Sequence, residues 1–190
     1  MERREAGGPI PEALAARIRL VIFDVDGVLT DGGVYIGSTE SGEAVELKRF
    51  NIQDGLGLKL LQWAGLEVAM VSGRVSRATE LRARELGVAC HQDDGAHKLP
   101  AVRRIMERMG IGWDEVAMVA DDLPDVSVFR HVGLKAAVGN ATASVAELAD
   151  WQARRSGGHG AVREFCDGLL AARGELDRVV KRYVDERSGS

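Results

Sequence analysis

Cysteine is scarce: Cys90 and Cys166 are the only two in 190 residues. They lie far apart and make no metal-ligand spacing, which excludes a disulfide-built scaffold and leaves two free thiols packed as small hydrophobes. No apolar stretch approaches the roughly 18 residues of a membrane-spanning helix. Nor does any basic start followed by an apolar run and a small-residue cleavage site mark an export signal. A cytoplasmic protein without a membrane partner is therefore expected. An excess of one charge is missing too, since 25 Lys+Arg stand against 29 Asp+Glu for a net of -4. That balance gives no ground for a nucleic-acid partner and points to a small molecule. Internal repeats and low-complexity tracts are absent. What is present, 45% hydrophobic residues in a chain of this length, suffices for one well-buried core.

Four apolar runs share one design. Ile18-Arg19-Leu20-Val21-Ile22-Phe23 stops at Asp24, and Glu67-Val68-Ala69-Met70-Val71 stops at Ser72-Gly73. Glu115-Val116-Ala117-Met118-Val119 leads to Ala120-Asp121-Asp122, and Leu134-Lys135-Ala136-Ala137-Val138 to Gly139-Asn140. Each reads as a buried strand opening into a small or polar loop. Helix-period segments lie between them, roughly over 55–63, 76–86, 98–109 and 144–148, with Gly65, Gly87 and Gly110 at C-cap positions. Alternating strands and helices imply right-handed crossovers and an α/β doubly wound parallel sheet. In such sheets ligands bind beyond the carboxyl ends of the strands, where Asp24, Ser72 and Asp121 all fall.

Residues 32–50 break the pattern. Gly33-Val34-Tyr35-Ile36 and Ala44-Val45-Glu46-Leu47, joined over 37–42, read as a small β-hairpin flap, and nothing is long enough for a separate cap domain. The chain divides into a frayed lead-in over 1–17, the α/β domain over 18–172 and a helical tail over 173–190, with helix expected from about Ala161 onward.

Asp24 and Asp26, one residue apart at a strand end, suit two jobs. Asp24 can attack phosphorus to form an aspartyl-phosphate. Asp26 can protonate the leaving oxygen and then deprotonate the incoming water. Carboxylate and phosphate repel, so a hard cation is needed, and Mg²⁺ suits oxygen ligands. Asp121 is best placed to ligate it, with Asp122 or Asp125 in support. Ser72 and the amide of Gly73 can donate to phosphoryl oxygens, and Lys98 can neutralise growing charge. Singly each signal is weak, since Asp-x-Asp is often a loop or helix cap. Their order and shared position at strand ends carry the reading.

At these residues the sequence resembles the haloacid dehalogenase superfamily. Its four motifs are matched by Asp24-Val25-Asp26-Gly27-Val28-Leu29-Thr30, Val71-Ser72-Gly73-Arg74, Lys98, and Asp121-Asp122-Leu123-Pro124-Asp125. Phe50-Asn51-Ile52-Gln53-Asp54-Gly55, Val132-Gly133-Leu134 and Gly157-Gly158-His159-Gly160-Ala161-Val162-Arg163-Glu164 extend the likeness to one branch, the 3-deoxy-D-manno-octulosonate 8-phosphate phosphatases of lipopolysaccharide synthesis. The resemblance implies Asp24, Asp26, Ser72 and Lys98 as catalytic, and Mg²⁺ held by Asp24, Asp26 and Asp121. It implies Phe50, Asn51, Ile52, Gln53, Asp54, Arg74 and Arg82 as substrate-binding, beside the Gly73 amide, and Arg154 just before the Gly-Gly segment is a further candidate, arginine being suited to grip a sugar acid's carboxylate. It also implies a homotetramer in which hairpins pack together and a neighbouring subunit's Gly-Gly segment covers the site. Departures from the family pattern fall at Ala120, Gln53, His159 and 93–95. Gln53 and His159 keep a nine-carbon N-acylneuraminate or deaminoneuraminate 9-phosphate as the alternative substrate. A non-catalytic oligomerisation module is disfavoured because Asp24, Asp26 and Lys98 are all retained.

Overall fold

The central strand explains the architecture. In β1 (Leu20–Phe23) all four side chains are buried, and alternation sends them to opposite faces of the sheet. Val21 and Phe23 enter one apolar cluster with Leu58, Leu61, Phe165 and Leu169. Leu20 and Ile22 enter a second with Val102, Ile105 and Phe129. A strand sandwiched in this way has no polar position, and burying each of these large side chains contributes about 1.5–3 kcal/mol.

The computed structural model describes residues 5–188. After β1 come a hairpin of β2 (Tyr35–Ser38) and β3 (Ala44–Leu47), then β4 (Glu67–Ser72), β5 (Ala89–Gln92), β6 (Val116–Ala120), β7 (Leu134–Ala137) and β8 (Trp151–Gln152). The main sheet runs in the order β5-β4-β1-β6-β7-β8, and every neighbouring pair in it is parallel. Helices α1 (Glu12–Ala15), α2 (Ile52–Trp63), α3 (Arg77–Leu86), α4 (Lys98–Met109), α5 (Val126–Phe129), α6 (Ala143–Ala146), α7 (Ala161–Ala172) and α8 (Leu176–Ser188) surround it. The α2 and α7 residues supply the first cluster and those of α4 and α5 the second. This is the doubly wound sheet expected, with its switch point at β1, where the order turns outward in both directions.

The hairpin is a separate two-stranded sheet, antiparallel with Tyr35 opposite Leu47. Its first strand begins two residues later than expected. Asp31 holds the preceding turn, accepting from Gly33 N at 3.0 Å and from the Tyr35 hydroxyl at 2.7 Å. Val34, Ile36 and Leu47 project into solvent.

The lead-in differs from its expectation. Met1 to Arg4 lie outside the described residues, but from Gly7 the chain is stitched to β8, with Gly7 N donating to Gln152 O at 2.8 Å and Trp151 Nε1 to Gly8 O at 2.7 Å. Ile10 and Ile18 are buried, and this apolar pair docks a segment whose glycines and charges suggest fraying. The C-terminal helix is two helices, broken at Gly174 with φ +68°. α8 is no free tail, since Val179 is fully buried and the Tyr183 ring lies 5.7 Å from that of Trp63. No helix among the described residues is long and apolar enough to cross a membrane.

Candidate active site

Where β1 ends, Asp24 N donates to Val119 O of β6 at 3.2 Å, so the first residue of the loop is still fastened to the sheet. The loop then folds back on Val25 O, which accepts from Leu29 N and Thr30 N, both at 3.0 Å. The buried Thr30 hydroxyl donates to the same carbonyl at 3.2 Å and accepts from Gly27 N and Gly32 N at 3.3 Å. Gly27 has φ +91°, and a Cβ there would collide with the Asp121 carboxylate. Glycine is therefore required twice over, for its backbone angle and for the approach of β6.

Asp121 leaves β6 beside Asp24. Asp122 spends its carboxylate on Leu123 N at 2.8 Å, capping a short turn that carries Asp125 inward. Asp24, Asp121 and Asp125 thus gather with oxygens within 4.8 Å of one another. Lys98, first residue of α4, inserts a side chain that is 2% exposed and donates to both Asp24 Oδ1 and, at 2.5 Å, Asp125 Oδ1.

One ammonium does not balance three carboxylates. Burial, with Asp24 and then Asp125 adding repulsion, pushes Asp121 up to about 8. Burial and then Asp24 push Asp125 up to about 7. For Lys98 burial works against the charge, but Asp24 and Asp125 outweigh it and its pKa is raised. A cluster of hard oxygen donors with unbalanced negative charge fits a divalent cation such as Mg²⁺.

Asp26 does not join this cluster. Its carboxylate turns away and binds Lys48 Nζ at 2.6 and 2.9 Å, and the third carboxylate of the cluster is that of Asp125. Arg74 stands 3.9 Å from Asp26 and pairs with Glu46 at 3.0 Å. The Ser72 hydroxyl, at the end of β4, is engaged with the backbone N and O of Arg74, both at 3.1 Å. Gly73 lets the backbone pass Ala96, which a Cβ would press at 3.0 Å.

Apart from Gly73 and Arg74, the residues expected to hold substrate divide into three groups. Phe50, Ile52 and Arg82 line one groove of about 360 Å³ together with Lys48, and the Arg82 guanidinium lies 5.8 Å from the Phe50 ring centre. Gln53 and Arg154 line a different cavity of about 620 Å³, whose walls include Trp151 and Arg163 but none of the carboxylate cluster. Arg154 there pairs with Glu164 at 3.2 Å. Asn51 and Asp54 hold helices. Asn51 Oδ1 caps α2 by accepting from Gln53 N at 2.8 Å. Asp54 is 1% exposed and accepts from Gly160 N at 3.3 Å and Arg163 N at 2.8 Å, capping α7 from across the core. Burial raises its pKa, and it has no surface to offer a ligand.

Gly157 and Gly158 pack beneath the chain's own nucleophile loop. Gly158 N donates to Val28 O at 3.0 Å, and a Cβ on Gly157 would occupy the place of Gly27 O. Lys48 is the residue that sequence reasoning missed. A lysine just past a short strand reads as solvated, and only the return of the hairpin puts it on Asp26.

A family model described as haloacid dehalogenase-like hydrolase matches residues 91–165. The 3-deoxy-D-manno-octulosonate 8-phosphate phosphatase KdsC of Escherichia coli K12 is 44% identical over 165 residues, covering 87% of this chain and 86% of that protein. The chain belongs to this phosphatase family of haloacid dehalogenase-like hydrolases. Solved structures of other phosphatases of the family agree. That from Yersinia pestis superposes with a TM-score of 0.81 at 40% identity, covering 87% of this chain and 88% of its own. That from Moraxella catarrhalis, in complex with magnesium ion, phosphate ion and a KDO molecule, gives 0.82 at 35% identity, with 90% and 97% covered.

Proposed function

We propose that this phosphatase hydrolyses 3-deoxy-D-manno-octulosonate 8-phosphate to the free sugar acid and phosphate, with Asp24 as nucleophile and Asp26 as acid and base. The observation that carries the chemistry is the grouping of Asp24, Asp121 and Asp125, with the buried Lys98 paired to Asp24 and Asp125. The relatives named for that substrate support the choice of ester, as does the complex of the Moraxella protein with magnesium, phosphate and the sugar acid.

Asp24, fixed by β6 and Lys98, presents a carboxylate oxygen to phosphorus from one side. Asp26 gives a proton to the departing sugar oxygen, then takes one from the water that splits the aspartyl-phosphate. Lys98 stays paired with Asp24 and Asp125 and offsets negative charge as it spreads over the phosphoryl oxygens. Ser72 Oγ and the Gly73 amide lie at the β4 end to receive those oxygens. Mg²⁺, when held by Asp24, Asp121 and Asp125, supplies the positive charge that lets a carboxylate meet a phosphate. Arg82 over Phe50 offers a guanidinium for the sugar's carboxylate, and Arg74 a second.

The exposed apolar hairpin residues Val34, Ile36 and Leu47 support a homotetramer assembled through hairpins, and sedimentation would measure it. The reading includes a cytoplasmic enzyme of lipopolysaccharide synthesis, with which two free cysteines agree. A Mg²⁺-dependent assay over sugar phosphates, including the nine-carbon 9-phosphates, tests the substrate. Preference for the eight-carbon keto acid is expected, and no preference for keto acid phosphates at all would sink it.

A further inference from the structure

Lys48 reaches from the end of β3 to grip both oxygens of Asp26, at 2.6 and 2.9 Å. Its side chain is only 2% exposed. A polar head withdrawn this far from water needs a hydrogen-bonding partner, and Asp26 is the partner it has been given. The same strand reaches Asp26 a second way, through Glu46, which holds Arg74 at 3.0 Å while Arg74 stands 3.9 Å from the carboxylate. Nothing in the β1 loop itself fixes the direction of the Asp26 side chain, whereas Asp24 is held by the sheet and by Lys98. The hairpin is what aims it.

We infer that Lys48 is a positioning residue for Asp26, and that the hairpin is thereby part of the proton-transfer device. The inference rests on the phosphatase reading above. In the first step an Asp24 oxygen bonds to phosphorus, the phosphorus–sugar oxygen bond breaks, and the electron pair on the sugar oxygen takes the proton carried by Asp26. In the second, water oxygen bonds to phosphorus, its proton passes to Asp26, and the Asp24–phosphorus bond breaks. Both proton transfers need the Asp26 carboxyl within hydrogen-bond reach and correctly turned. A bidentate grip by one buried ammonium restricts that turn; loss of the grip leaves a short side chain free to rotate.

The signature is dependence on the leaving group. A sugar alkoxide needs its proton, whereas 4-nitrophenolate departs without one. Lys48→Met removes the ammonium and keeps the length of the chain. First-turnover rates with Mg²⁺ should fall about 30-fold or more for the octulosonate 8-phosphate, within the range of general acid catalysis, and less than about threefold for 4-nitrophenyl phosphate. Equal slowing of the two esters, or no slowing of the sugar ester, overturns the inference. Should the methionine variant fail to fold, Lys48→Arg is read on the same pair of esters. It keeps a cation with altered geometry and should shift the ratio of rates in the same direction, and an unchanged ratio overturns the inference. A wild-type enzyme inert toward both esters overturns the phosphatase reading itself, a result distinct from an unaltered ratio.

Discussion

Gly27 and Asp121 meet so closely that a single methyl group on Gly27 would occupy the space of the Asp121 carboxylate. The nucleophile loop and the acidic loop after β6 are thus fitted to one another through a glycine, not through a bond. Gly27→Ala should push Asp121 away from Asp24 and strain a backbone at φ +91°. Activity should drop about 100-fold, as expected when a reacting group is displaced by about 1 Å, with a stability cost of about 1–3 kcal/mol. Mg²⁺ titration by calorimetry alongside the assay would show both losses, and retained Mg²⁺ affinity would count against the fit described.

Asp24→Asn should separate chemistry from folding. Turnover should fall by a factor on the order of 10⁴ or more, as for other nucleophile replacements. The fold should persist, because Lys98 keeps Asp125 and the repulsion that Asp24 exerts on Asp121 and Asp125 is relieved. The melting temperature in chelator should be equal to or above that of the wild type. A marked drop would show that the Asp24–Lys98 pair is chiefly structural.

Asp54 and Arg82 should behave in opposite ways. Asp54→Ala leaves the Gly160 and Arg163 amides without their acceptor, and denaturant unfolding should register a loss of about 1–3 kcal/mol while KM stays unchanged. Arg82→Ala gives up the Glu85 pair and the Phe50 contact, which should cost up to about 1 kcal/mol of stability, and should raise KM for the sugar acid phosphate about tenfold, the worth of one charge-assisted bond. A rise in KM for the Asp54 variant would return it to the substrate site.

Stability without metal should depend on pH in an inverted manner. Asp121 and Asp125, at about 8 and about 7, hold protons in the folded chain that the unfolded chain releases near 3.8. The folded state therefore binds more protons, and stability falls as pH rises from about 4 to about 8. Added Mg²⁺ should stabilise most at the upper end of that window, where ligands need no deprotonation. Calorimetry at pH 5 and pH 8 with and without the ion checks the sign, and a greater gain at pH 5 would contradict it.

Much of this arrangement was legible in the chain. Strands such as Leu20–Phe23 and Val116–Ala120 are continuous apolar runs because the sheet is covered on both faces, and such runs announce themselves. The carboxylates at their ends follow directly. Edge strands do not: Ala89–Gln92 carries a histidine and a glutamine, and Trp151–Gln152 is too short for any period to show. Asp54 and Lys48 were obscured for a different reason. One serves backbone groups more than 100 positions away and the other a side chain 22 positions away, and neither separation leaves a periodic trace. Sequence pattern reports which face a residue lies on, not which distant group it will meet.

The fit of Gly157 against Gly27 O carries a practical consequence for directed evolution. Loop 154–160 borders an open cavity and looks like a free site for diversifying specificity. Libraries randomised there should purge every substitution at 157 and 158, whatever ester is used for selection, because those residues are the underside of the reaction centre. Productive diversity should survive at the exposed His159 and, to a lesser degree, at Ser156.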